Sequence, residues 1–194
     1  MNVRLIVSAL FAVASAGAYA QTAASTVQRD VNQEKRIEQG LQNGSLTTRE
    51  AAALERDEAK VNRMQSQALK DGKLSDAERA KLNAAQNKAS RDIATAEHNG
   101  VNGNPLSASS QRMQADVQRN INQQQRVEAG LQNGSLTHQE AAKLERGQSK
   151  VARKEAVAGR DGHVGAHEQK RIQRSENHQS KRIYKEKHDA QTKS

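Results

Sequence analysis

Gly40-Leu41-Gln42-Asn43-Gly44-Ser45-Leu46-Thr47 recurs letter for letter as the eight residues from Gly130 to Thr137, and this stretch decides how the chain is read. The match continues outward without a gap at the same offset. Val27-Gln28-Arg29 pairs with Val117-Gln118-Arg119, Leu54-Glu55-Arg56 with Leu144-Glu145-Arg146, and Lys60-Val61 with Lys150-Val151. Asp71-Gly72 pairs with Asp161-Gly162, and Ser90, Ile93 and His98 with Ser180, Ile183 and His188. A fixed period is the signature of a duplicated supersecondary unit, so the chain divides into unit 1 (27–98) and unit 2 (117–188). The intervening 99–116 begins rich in Gly, Asn and Ser and holds Pro105, the only proline, which is linker composition.

Each unit also echoes internally. Asn43-Gly44-Ser45-Leu46-Thr47-x-x-Glu50 returns as Asp71-Gly72-Lys73-Leu74-Ser75-x-x-Glu78, and Asn133 to Glu140 returns in looser form as Asp161 to Glu168. The local grammar is helix, glycine turn, helix. Val27, Val31, Ile37 and Leu41 trace one apolar helical face, Leu54, Val61, Met64 and Ala68 a second, and Leu82, Ala85, Ala89, Ile93 and Ala96 a third. Gly44 stands where a helix ends in a left-handed residue, which glycine adopts without a Cβ clash. Thr47-x-x-Glu50, Ser75-x-x-Glu78 and Thr137-x-x-Glu140 are capping boxes that open the following helices. The reading is an all-α chain of two three-helix units, with no strand pattern.

The N-terminus reads as an export leader. Arg4 is the only charged side chain before residue 29, residues 5–17 are apolar or small, and Ala18-Tyr19-Ala20 is a small-x-small cleavage site. The leader is 1–20, and the run is too short to span a bilayer. Cleavage would leave a periplasmic or secreted product that is not an integral membrane protein. With no cysteine, neither disulfides nor thiolate chemistry is available. No nucleophile elbow, phosphate-cradling glycine loop or H-E-x-x-H appears, so the chain reads as a non-enzyme.

The turns resemble the second half of an EF-hand calcium loop, which wants an oxygen ligand at position 5, glycine at 6, an oxygen donor at 9 and a bidentate glutamate at 12. Asn43, Thr47 and Glu50 fit, as do Asp71, Ser75 and Glu78, and Asn133, Thr137 and Glu140. The first half does not: position 1 is Gln39, Gln67, Ala129 or Val157, and position 3 is Leu41, Leu69, Leu131 or Gly159. His163 and His167 have the i, i+4 spacing that on a helix presents two imidazoles to a transition metal. Calcium or a transition metal is therefore the alternative ligand class, though no cofactor is required.

The chain is similar to the small secreted helical repeat proteins of proteobacteria, whose turns are degenerate EF-hand-like and which have no assigned activity. Its Leu-Thr-x-x-Glu turns also resemble the Leu-Thr-x-x-Gln repeats of the Spy/CpxP periplasmic chaperones, with Glu in place of Gln. The first resemblance implies the helical fold and an exported compartment, and the second an envelope-stress or client-binding role.

Charge points the same way. Unit 1 carries 13 basic and 12 acidic residues and unit 2 carries 15 and 8, so the surplus sits in the second unit. It concentrates in Lys170, Arg171, Arg174, Lys181, Arg182, Lys185 and Lys187. Such a surface suits an acidic envelope component or client protein. Tyr184 is the only aromatic beyond the leader, too few for base stacking, so nucleic acid is not the expected partner.

Overall fold

The computed structural model describes residues 13–189, with side chains described from residue 23. It is all-helical, with α1 (Val13–Asn43), α2 (Thr48–Ala68), α3 (Asp76–Glu97), α4 (Ala108–Gln132), α5 (His138–Ala158) and α6 (Ala166–His188). The first part of the leader, 1–12, lies outside the described residues, and Ala18-Tyr19-Ala20 falls within the α1 backbone.

The helix ends form as their residues require. Gly44, Gly72, Gly134 and Gly162 all take positive φ, from 66° to 88°. In the box at Thr47 the hydroxyl accepts from Glu50 N at 3.2 Å, and Glu50 Oε2 accepts from Thr47 N at 2.9 Å. The boxes at Ser75 and Thr137 are the same. At α6 only half survives: Glu168 Oε2 accepts from Gly165 N at 2.9 Å, and glycine has no side chain to complete the exchange. Gly40 and Gly130 serve close approach, because a Cβ there would stand 2.6 Å and 2.5 Å from Leu46 and Leu136. Those leucines fold back over the helix they have just left, donating N–H to the Gly40 and Gly130 carbonyls at 2.9 Å.

One sequence expectation changes in three dimensions. The linker is shorter than 99–116, because Ser107 caps α4 and Ser110 N donates to its hydroxyl. From Ala108 onward no proline or glycine interrupts the first turns of the helix, and Met113 is buried. The two units do not fold around separate cores. One apolar cluster joins Val27, Leu69 and Leu82 of the first half to Val127, Leu131 and Ile183 of the second. The other joins Val31, Ile37 and Leu41 to Met113, Val117 and Ile172. Helix α1 runs antiparallel along α4 and α2 along α5, forming a central four-helix layer flanked by α3 and α6. At its middle, Ser149 Oγ donates to the carbonyl of Ala59, its own counterpart in the other half, at 2.7 Å. Each half supplies about 70 residues, a size at which a core is marginal, and sharing the core enlarges it.

Candidate functional site

A groove of about 850 Å³ runs between α5 and α6. The buried Val151, Ala158 and Ile172 make its apolar floor and the exposed Val157 lines it too; Lys150, Arg153, Lys154, Arg171, Arg174 and Arg182 bring six cations to its walls, beside His178. One carboxylate, Glu168, lines it, and that group is occupied by the Gly165 N–H. None of the six cations forms an ion pair among the described residues. Their hydrogen bonds go to uncharged oxygens: Arg182 donates to the Lys143 carbonyl at 3.2 Å, and Lys154 to the Ser175 hydroxyl.

Comparison of the two halves shows how this groove arises. In the first half, Asp57 pairs with Lys60 and Asp92 with Lys88, each at 2.5 Å, so two cations of that face are neutralised, while Arg63 and Lys81 form no ion pair among the described residues. The counterparts of the two aspartates are Gly147 and Arg182, and those of Met64 and Ala84 are Lys154 and Arg174. Glycine at 147 removes both a charge and a side chain. A Cβ there would stand 1.9 Å from Gln179 Oε1, which packs across the helix pair and donates through Nε2 to the Leu144 carbonyl at 2.8 Å. A second, smaller basic groove of about 520 Å³ lies between α2 and α5, with Arg63, Lys70, Lys143 and Arg146.

Sequence charge thus located half of the main groove. Arg171, Arg174 and Arg182 line it, whereas Lys150, Arg153 and Lys154 come from α5, which carries no conspicuous charge run. The signal that could have found them was the pair of aspartate losses between the repeats.

The turn residues named as metal candidates are engaged as follows. Asn43 and Asp71 each accept from a backbone N–H two residues on, at 2.8 and 3.0 Å, and Asn133 does the same at 2.9 Å. Thr47, Ser75 and Thr137 are helix caps, and Glu50, Glu78 and Glu140 return to them. Glu50 is further held by Asn99 Nδ2 at 2.5 Å. Burial would raise the Glu50 carboxyl, but its hydrogen bonds from Thr47 and Asn99 hold it below its ordinary value. His163 and His167 do not share a helix face: α6 begins at Ala166, and His163 lies in the turn, hydrogen-bonded to Ser109 Oγ at 2.9 Å. The physical reason is the pair Gly162 and Gly165, which keeps that segment out of the helix. Among the described residues the one convergent set of three metal-type ligands is Glu140, Glu186 and Asp189.

Sequence reasoning missed a layer of carboxyls buried among the central four helices and α6. Asp30, Glu34, Glu55, Glu58, Asp116, Glu145, Glu155 and Glu176 are all buried. Only Glu176 has a cationic partner, Arg119, at 3.3 Å. Burial is the first cause that drives their carboxyls up: Asp30 and Asp116 to about 7, Glu145 and Glu176 to about 8. Glu34, Glu55, Glu58 and Glu155 go well above the ordinary range, with mutual repulsion adding to burial. Amides supply part of the relief: Gln86 donates to Asp30 at 2.6 Å, Asn120 to Glu155 at 2.8 Å and Gln124 to Glu145 at 3.2 Å. The signal was present in the sequence, since Glu55, Glu58, Asn62 and Gln65 occupy helical-face spacing beside Leu54, Val61 and Ala68. No helix among the described residues is long and apolar enough to cross a membrane. Comparison of the chain with protein-family models, with curated proteins and with solved structures finds no match.

Proposed function

We propose that this chain is an exported, non-enzymatic binding protein that takes acidic envelope components or acidic client segments in the groove between α5 and α6. One observation carries the reading: six cations line a single groove with an apolar floor, and none is neutralised within the described structure. Unpaired basic side chains around a concave surface attract and orient polyanions, and apolar floor atoms add contact area for lipid or peptide segments. The repeat strengthens the argument, because the equivalent face of the first half has fewer cations and pairs two of them with aspartates. Export rests on the leader-like N-terminus, and the non-enzymatic character on the lack of any recognised catalytic constellation in the sequence.

The test is binding to anionic vesicles, polyphosphate and an acidic peptide, in parallel, at low and high salt. Arg153→Glu combined with Arg174→Glu should weaken binding by about tenfold or more, roughly 1.4 kcal/mol, with the loss shrinking as salt rises. The same reversals at Lys60 and Lys88 in the first half should have little effect. Equal losses from both faces would refute the groove as the site. N-terminal sequencing of the protein from its host should start at Gln21, and an intact Met1 would remove export from the proposal.

A further inference from the structure

The two halves differ at one carboxylate in a way that points to a ligand. In the first half Glu50 uses Oε2 for its capping box and Oε1 to accept from Asn99 Nδ2 at 2.5 Å, so both oxygens are satisfied. In the second half Glu140 makes the same box, with Oε2 at 2.7 Å from Thr137 N. Its Oε1 is buried and has no hydrogen-bond partner, in a residue only 2% exposed. The counterpart of Asn99 is Asp189, which cannot donate in place of the amide, and the counterpart of Ala96 is Glu186, a further carboxylate. One ligand oxygen from each of Glu140, Glu186 and Asp189 lies within 4.8 Å of the others. That spread fits the first coordination shell of a hard divalent ion, whose oxygens stand about 2.3–2.6 Å from calcium. Lys143 stands 3.8 Å from Glu186 and is the ion-pair partner found there. Three carboxylates against one ammonium leave two negative charges, the charge a divalent cation balances.

We propose that Glu140, Glu186 and Asp189 form a calcium-class divalent cation site joining the start of α5 to the end of α6. This differs from the EF-hand-like reading of the turns, because Asn133 and Thr137 play no part and two of the three ligands come from the far end of the chain. Glu140 contributes Oε1 and keeps Oε2 in the cap, so binding does not dismantle the helix start. Glu186 and Asp189 reach solvent, and water completes the shell. Three protein ligands at a surface place the affinity in the range of about 0.1–1 mM, as in weak extracellular calcium modules.

The experiment is thermal unfolding and calorimetry of the purified protein with calcium chloride, and with magnesium chloride as the comparison ion. Calcium at about ten times the dissociation constant should raise Tm by about 3–6 °C. Glu186→Ala with Asp189→Asn, which writes the first-half residues into the second, should abolish the response. That variant should melt at or above the metal-free parent, because the amide introduced at position 189 restores the missing donor to Glu140. Glu140→Gln, which keeps the capping box, should also lose the response and serves as the second check. A parent indifferent to calcium, or variants that respond like the parent, would overturn the site. The groove and its polyanion binding are read out separately and do not depend on this result.

Discussion

At the residue scale, the turns are governed by backbone hydrogen-bond accounting. Each helix start leaves free N–H groups, and a hydroxyl with a glutamate three residues on satisfies two of them. Thr47→Ala and Ser75→Ala should each cost about 1 kcal/mol, measured by denaturant unfolding. Glu50→Gln and Glu78→Gln should change stability little, since glutamine can make the same return bond. The incomplete box at α6 makes the converse prediction. Gly165 has φ −77°, an ordinary conformation, and a Cβ there would meet only Glu168 Oε2 at 3.4 Å. Gly165→Ser, which copies Ser75, should therefore stabilise by a few tenths of a kcal/mol. These boxes were legible because each depends on a few adjacent residues.

At the scale of elements, α5 and α6 differ in charge from α2 and α3 at many aligned positions, and those charges set what the helix pair can hold. Restoring the first-half residue should undo the groove. Gly147→Asp would place a carboxylate one helical turn before Lys150, recreating the Asp57–Lys60 pair. It would also drive a Cβ into Gln179, whose buried bond to Leu144 would be lost. We expect a stability loss of about 1–3 kcal/mol from the displaced buried amide. Polyanion binding, compared at a temperature where the variant is fully folded, should fall as well. The apolar seams of these helices could be read from the sequence: Val27, Val31, Ile37 and Leu41 are all fully buried. The partner of each seam could not. A 3.6-residue stripe states that a face is buried and is silent about which helix covers it, and here much of each cover comes from the other half.

At the scale of the whole molecule, the buried carboxyls make stability a function of pH. Their folded pKa values lie above the unfolded ones, so over that interval the folded chain binds more protons than the unfolded chain. Stability therefore falls as pH rises. The contribution is fully present below the unfolded values near 4 and is lost as pH climbs through the folded values of about 7 and 8. Each group titrating fully over an interval contributes about 1.4 kcal/mol per pH unit. Melting at pH 5 should exceed melting at pH 8, until below about pH 4 the growing net positive charge opposes the gain. Glu58→Gln copies Gln148, its counterpart in the second half. It should raise Tm at pH 8, change it little at pH 5, and so flatten the profile. A profile that rises with pH, or a variant that melts lower at pH 8, would show that these carboxyls are ionised and compensated in the fold.

By itself the sequence determined the helical class, the glycine turns and capping boxes between helices, the repeat and the excess of basic charge in the second half. All of these rest on interactions within a few residues or on counting. Tertiary structure alone decided that the halves share their core, that six cations from two helices face one groove, and that eight carboxyls meet in the interior. It also decided that Glu140 meets Glu186 and Asp189, residues distant from it along the chain. Burial and electrostatics depend on which elements cover each other, and that choice is made by the packing of all six helices together.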